Sequence, residues 1–539
     1  MNDFFVNIGP KLAQSIPPSD NHFSTFLANP NPKSIFFAPT LETEIMDIVN
    51  NLKTQKSPGH DGITNKLLKH VIMEIVTPIT HIFNLSITCG VVPSQMKKAK
   101  VIPIFKKGDT RERGNYRPIS LLTSFSKILE RIIYTRTIKF VHDCNIFSDS
   151  QYGFREKHKT TDALLILTDK VAKAIDSSSH TIGIFLDFSK AFDTINHDIL
   201  LYKLSHYGIR RKALEWFRNY LKNRTQYVSV NDCESHLEEI TCGVPQGSLL
   251  GPLLFILYIN DFKRSSNMLS FILFADDSNI FLSHRDPRIL VNTMNSELKS
   301  VHSWIQANKL SLNLTKTNYM LFSNSIQTLP GDININGVNI ESVQSTKFLG
   351  IFIDNKLSWK THVDKICRVI SRNIGVINKL KRYFPHRVLL TLHSTLILPY
   401  LNYGILSWGN SQITQSNRIL LLQKRALRII ENVHFRSHTD PLFLKNKILK
   451  IHDLYLLNLG AFMFQLFNNE VPPSVTLFFT RSNEIHQYPT RHALQNQYYL
   501  SLMRTAFAPK TLPIPDQTIG ILLILPKNAL KQLTPFGNT

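Results

Sequence analysis

The chain has 539 residues, 43% hydrophobic and 19% charged, a globular composition long enough for several subdomains. Its 62 Lys and Arg against 39 Asp and Glu leave a formal net charge of +23, which favours polyanionic partners, either nucleic acid or an acidic membrane surface. The five scattered cysteines form no CxxC pair, which argues against a disulfide framework, and none follows Cys367, which excludes a C-terminal Cys/His zinc knuckle.

The opening MNDFFVNIGPKLAQ lacks a basic start followed by an apolar run, so no secretory signal is read there. Residues 1–55 form a polar, proline-containing lead-in with one amphipathic stretch, Leu41–Leu52. The punctuation of KSPGHDGI predicts a turn, and from Leu67 to Phe83 apolar residues recur at helical spacing. Lys97–Arg113 carries seven basic and two acidic residues around the apolar run Val101–Phe105 and reads as a basic hairpin-like element.

Residues 181–188 and 269–275 have the β-branched and aromatic composition of buried strands, with helical pattern between them. The most apolar run, Leu249–Ile259, is about half the ~20 residues a bilayer crossing needs, so a soluble protein without a membrane is expected. Lys347–Asp354 reads as one more strand. Beyond it, Val363, Ile366, Ile370, Ile374 and Ile377 step by three and four between Lys365, Arg368, Arg372 and Lys379. A helix with one apolar and one cationic face suits either phosphate contact or simple solvation.

Chemistry concentrates in three places. Phe274-Ala275-Asp276-Asp277 sets adjacent carboxylates after one apolar strand and before another, the pattern of a hairpin with acids at its tip. Adjacent acids at a buried strand end are costly unless a cation compensates, although aspartates also serve ordinary turns. In Ile184–Asp193 an apolar strand again ends in a carboxylate, Asp187, and passes into a turn and helix; capping that helix is the competing role. Two such strand ends on one sheet would supply the convergence that two metals ~3.5–4 Å apart require. Gly243–Pro252 is a glycine-rich loop in which Ser248 can cap the apolar helix that follows; it could hold a nucleotide or serve only as a helix entry.

In order along the chain, KSPGHDGI, VIPIFKKGD, NYRPISLL, QYGFR, LDFSKAFD, GVPQGSLLGPLLF, FADD, LNLTKTNYM and KFLGIFID resemble the reverse transcriptases of non-LTR (LINE-type) retrotransposons. The resemblance implies an α+β right-hand polymerase: an N-terminal extension (1–55), fingers (56–175), a palm with an antiparallel sheet and primer-grip loop (176–358), a thumb-like helical region (359–460) and a tail (461–539), with the reverse transcriptase domain at about 86–354. It implies RNA-directed DNA synthesis with two Mg²⁺ ions, or Mn²⁺ in their place, on Asp187, Asp276 and Asp277. RNA template, DNA primer or target and deoxynucleoside triphosphates would be the partners; the oligomeric state is left open.

The same resemblance gives roles to single residues. Phe192 would block a ribose 2′-hydroxyl, Gln246 would pack near the incoming nucleotide, and Lys106, Lys107 and Arg117 would neutralise its triphosphate. Lys316 would help protonate pyrophosphate. Arg155 would contact template or nucleotide, Phe348, Leu349 and Gly350 would grip the primer end, and Lys365, Arg368, Arg372 and Lys379 would track duplex phosphates.

Relatives of this class often carry an upstream endonuclease, for which about 50 residues leave no room. Six acids after Asn402, mostly isolated, do not suggest a ribonuclease H domain. An intracellular ribonucleoprotein, nuclear or cytoplasmic and not secreted, is the expected setting. A catalytically silent, truncated relic that only binds nucleic acid is the alternative, and a nucleotide cyclase a more distant one.

Overall fold

The computed structural model describes residues 1–477 and 479, except 232 and 327; the rest of the expected tail lies outside the described residues. Three helices, α1 (Asn2–Gln14), α2 (Glu42–Asn50) and α3 (Asn65–Cys89), precede the first strand. Thr64 caps α3 by accepting the amide of Leu67, and Gly90 ends it at a φ of 71°. By length and composition α3 could cross a membrane. Its ladder Leu68, Ile72, Val76, Ile79 and Phe83 is nevertheless buried, packed against α2 and α7 (Lys212–Leu221).

The expected basic hairpin forms from β1 (Lys98–Phe105) and β2 (Tyr116–Leu121), paired antiparallel with Ile104 opposite Arg117. α4 (Ser124–Asp143) and α5 (Thr160–Asp176) lead to β3 (His180–Asp187), and α6 (His197–His206) and α7 to β4 (Arg224–Val230). β4 lies parallel to β1 and carries β5 (Cys233–Glu234) and β6 (Glu238–Ile240), completing a five-stranded sheet. The lead-in is more structured than expected: α1 packs on β4 and β6, where Asn2 and Gln226 exchange hydrogen bonds of 3.1 Å.

After α8 (Leu250–Tyr258), β7 (Ser270–Phe274) and β8 (Asp277–His284) form the second expected hairpin. α9 (Pro287–Ala307), β9 (Asn318–Phe322), the small hairpin β10 (Asn334–Ile335) and β11 (Val338–Asn339), and β12 (Glu341–Ser342) follow. β12, β9, β3, β8 and β7 make the second five-stranded sheet, in that order. β3 is its centre. Ile182, Ile184 and Leu186 enter one core, while Phe185 enters another, so both faces are covered. A Cβ at Gly183 would lie 2.6 Å from the Phe281 ring, which explains glycine there.

Residues 347–354 are not one strand. Leu349 and Gly350, both at positive φ, fold the run into the hairpin β13 (Ser345–Phe348) and β14 (Ile351–Asp354). The expected amphipathic helix is α10 (Lys360–Leu380). It buries Val363, Ile366, Ile370, Ile374 and Ile377 and packs on β14 and a later helix, Ile413–Ile430. α11 (His386–Leu396), α12 (Leu398–Asn402), α13 (Ile405–Trp408), α14 (Ile413–Ile430), α15 (Asp440–Lys445) and α16 (Ile451–Phe467) complete a mixed α/β molecule.

Candidate active site

The sheet register brings the predicted carboxylates together. Asp187, last residue of β3, is the direct partner of Asp277, first residue of β8. Side chains of directly opposed antiparallel residues share a face, with Cβ atoms ~4.5–5.5 Å apart. Asp276 occupies the two-residue turn closed by Phe274 and Asp277. No helix begins directly after Asp187, so the capping role is excluded: the chain turns through residues 189–193, and α6 starts only at His197, capped by Asn196.

Ala275 holds that turn at a φ of +55°, a region costly for a residue with a Cβ. The QYGFR segment maintains it. Tyr152 donates to the Leu273 carbonyl at 2.7 Å, and Leu273 donates to that of Ser150 at 2.8 Å, laying the segment along β7. The buried Gln151 then accepts from the amides of Gly153 and Ala275 at 2.8 and 3.1 Å. A Cβ on Gly153 would stand 2.4 Å from the Ala275 nitrogen, so only glycine allows this approach. The sequence reading did not single out Gln151; the signal available was its place in the same short motif as Arg155.

The two carboxyls at the tip are held above their ordinary range. Partial burial raises the pKa of Asp276, and the charge of Asp187 adds to it. Asp277 is pushed up to about 6, first by burial and then by Asp276 and Asp187. Both side chains still reach solvent at the tip, which tempers the effect. Lys316 Nζ stands 3.8 Å from the Asp187 carboxylate; with the two side chains 63% and 46% exposed, such a pair contributes roughly 0–1 kcal/mol.

Further cations converge here. Lys106 has its pKa lowered by partial burial and then by Arg117, Lys316 and Lys107, while Asp187 opposes that shift. Lys190 joins the group unforeseen. It lies three residues after Asp187, feels the charges of Lys106, Lys316 and Arg117, and donates to the carbonyls of Gly114 and Tyr116 at 3.2 and 3.4 Å. Lys347 at the β13 edge also acts on Asp277.

Among the described residues no group of three His, Cys, Asp or Glu side chains forms a ready-made metal cage. Magnesium takes one or two carboxylates and completes its shell with water and substrate phosphates. The hard carboxylate oxygens of Asp187, Asp276 and Asp277 fit such an ion, and burial and then the charge of Asp187 raise the pKa of both neighbours.

The glycine loop closes one side. Val244 donates to the carbonyl of Phe192 at 3.0 Å, Gln246 Nε2 donates to Asp193 at 2.8 Å, and Ser120 donates to the Gln246 carbonyl at 2.7 Å. Gly247, at a φ of +126°, lies where a Cβ would come 2.5 Å from the Ser120 carbonyl. Ser248 accepts the amide of Gly251 at 2.9 Å, as expected of a cap, and the buried Glu130 accepts that of Leu249 at 2.7 Å. Phe192 stacks on Phe255 at 4.6 Å and meets Phe154 edge-on at 6.4 Å.

Two of the predicted contact residues turn into the fold. Arg155 turns inward: its Nη1 donates to the carbonyls of Ser148 and Gln151 at 2.8 and 3.1 Å, and its guanidinium covers the Phe147 ring. It braces its own loop, which presents the exposed Phe154 instead. Phe348 is 2% exposed and packs on Phe185, so it anchors the hairpin. Leu349 and Gly350 form the turn, held by the Tyr403 hydroxyl donating to the Leu349 carbonyl at 2.6 Å. Lys107 and Arg117 are exposed beside Lys106, and Lys365, Arg368, Arg372 and Lys379 lie on the open face of α10.

Residues 104–353 match the family model described as reverse transcriptase (RNA-dependent DNA polymerase), a span holding all three carboxylates. That span is therefore similar to reverse transcriptase domains. Relatives named as RNA-directed DNA polymerases of mobile elements and transposons are among the proteins this chain resembles. It is 28% identical over 429 residues to the RNA-directed DNA polymerase from mobile element jockey of Drosophila melanogaster, covering 77% of this chain and 46% of that protein. It is also 28% identical over 422 residues to the probable RNA-directed DNA polymerase from transposon BS of the same fly, covering 75% and 46%. A putative 115 kDa protein in type-1 retrotransposable element R1DM, again from that fly, is 25% identical over 427 residues, covering 77% and 40%. The chain spans less than half the length of these curated relatives.

Proposed function

We propose that this chain is an RNA-directed DNA polymerase of a non-LTR retrotransposon, extending a DNA primer on an RNA template. The observation that carries the reading is Asp187 opposed to Asp277, with Asp276 in the turn between β7 and β8, inside the matched span. The residues around β1 and β2 would act as fingers, the sheet centred on β3 as palm, and α10 with the helices after it as thumb.

Asp187 and Asp276 are the principal carboxylates for two magnesium ions, with Asp277 in support and manganese able to substitute. Bound there, the ions would supply charge neutralisation at the attacking and leaving oxygens. The primer 3′-oxygen forms a bond to the α-phosphorus as the α–β phosphoanhydride bond breaks, releasing pyrophosphate. Lys106, Lys107 and Arg117, with Lys190 beside them, would hold the triphosphate by charge-assisted hydrogen bonds. Lys316 would give a proton to the departing pyrophosphate. Phe192, braced by Phe255, would exclude a 2′-hydroxyl, with Gln246 beside the nucleotide.

The test is primer extension on an RNA template with and without magnesium. Magnesium-dependent synthesis by the wild-type chain, lost in Asp276→Ala while primer–template binding is retained, is the expected result. Robust synthesis by that variant would overturn the carboxylate assignment. Normal folding and binding with no wild-type synthesis would overturn the enzymatic reading.

A further inference from the structure

Three chain corners meet at the C-terminal end of α10, about 30 Å along that helix from the β13–β14 hairpin. They are the α10–α11 corner, the segment between α14 and α15, and the end of α15. Glu431 ties them together, accepting from His386 Nε2 at 2.9 Å, Lys445 Nζ at 2.5 Å and Asn446 Nδ2 at 2.7 Å. Lys381 Nζ adds a bond to Asn432 Oδ1 at 3.3 Å.

On this frame stand three large rings in open solvent: Tyr383 is 79% exposed, Phe435 68% and Phe384 44%. Burying such a side chain is worth ~1.5–3 kcal/mol, so leaving each of the three in water, on segments tied to one another through Glu431 and Asn432, forgoes a substantial gain. The same two segments are cationic. Residues 381–387 and 431–447 hold six Lys and Arg against two acids. Glu431 is spent on its bonds, and Asp440 pairs with Lys450 at 2.9 Å. Arg436 lies 5.3 Å from the centroid of the Phe435 ring, and His434 packs on the same ring at 4.4 Å.

We propose that this corner is a binding platform for an unpaired nucleic-acid strand, outside the polymerase cleft. Exposed rings call for flat apolar partners and the cationic rim calls for anions; unpaired bases on a phosphate backbone supply both. A duplex does not, because its bases already stack on one another. Stacking of a base on an aromatic side chain is worth ~1–3 kcal/mol and does not depend on sequence. The platform requires neither the carboxylates nor catalysis, so it stands apart from the proposed activity.

The test uses the full chain and a hairpin duplex with or without an unpaired tail of about 15 nucleotides, made as RNA or as DNA. Binding is read by fluorescence anisotropy at one fixed salt concentration. In the wild type the tail should tighten binding by about tenfold or more. In Tyr383→Ala/Phe384→Ala/Phe435→Ala that gain should fall below about twofold, with affinity for the tailless hairpin unchanged. Loss of the gain for one sugar or for both supports the platform and tells which strand it takes. A gain equal in wild type and variant, or an equal loss for tailed and tailless hairpins, would overturn it. Conversion of a wild-type dimer to monomer with the gain intact would also overturn it, in favour of a second copy of this chain. Should the triple variant misfold, Tyr383→Ala carries the same comparison, and Tyr383→Trp should keep the gain.

Discussion

The side-chain oxygen of Gln151 accepts the backbone N–H of Ala275 at 3.1 Å, so a residue 124 positions upstream holds the turn that carries Asp276. Gln151→Leu would leave the buried amides of Gly153 and Ala275 without their acceptor, at about 1–3 kcal/mol for each unsatisfied group. Small displacements at reacting groups are costly, so kcat should fall roughly 10–100-fold with the nucleotide KM little changed. The half-activating magnesium concentration should rise as well. An unaltered magnesium requirement would mean that Gln151 contributes only to stability.

Asp277 titrates at about 6 in the folded chain, above its ordinary value of about 3.9. A raised carboxyl pKa contributes stability that is complete below about pH 4 and is lost as pH rises through about 6. Metal-free Asp277→Asn protein should therefore melt higher than wild type at pH 7.5 and not at pH 4. Magnesium should raise the wild-type Tm at pH 7.5 more than that of the variant. Thermal melts at both pH values check this, and equal melting at pH 7.5 would contradict it. Synthesis by the wild type should increase as pH rises through about 6, when the carboxylates shed the protons that compete with metal.

Phe192 presents a ring stacked on Phe255 and met edge-on by Phe154. Phe192→Val should admit a ribose 2′-hydroxyl, lowering the preference for deoxynucleotides by roughly 10–100-fold in kcat/KM. Phe154→Ala should move the ratio in the same direction by less. Single-nucleotide incorporation with paired deoxy- and ribonucleotides measures it; an unchanged ratio would remove Phe192 from the sugar site.

Deep beneath the sheet, Lys203 and Asp261 form an ion pair at 2.5 Å, with side chains 0% and 2% exposed. Tyr258 supplies a carbonyl to Lys203, and Trp304 donates to Asp261 at 3.0 Å. Lys203→Met strands the buried carboxylate and should cost ~3–5 kcal/mol in chemical denaturation. Adding Asp261→Asn should recover much of that loss. A single variant as stable as wild type would show that the pair is dispensable.

The likeness of this chain to reverse transcriptases was legible in its residues because local pattern carries it. Strands ending in aspartate, the basic run before β2, and the three-and-four stepping of α10 need only short-range sequence to be read. Tertiary structure decided what depends on remote neighbours. The register of β3 against β8 set Asp187 opposite Asp277, and a shift of one residue would have turned every side chain to the other face. Arg155 turns one guanidinium nitrogen to nearby carbonyls, and Phe348 is taken up by the core behind the sheet, although either would read from its motif as facing a strand. Residues 347–354 look like a single strand in composition, yet positive φ at Leu349 and Gly350 folds them back. Lys190 and Gln151 acquire meaning only through partners far along the chain, since burial, charge and hydrogen-bond satisfaction belong to the assembled neighbourhood and not to the segment.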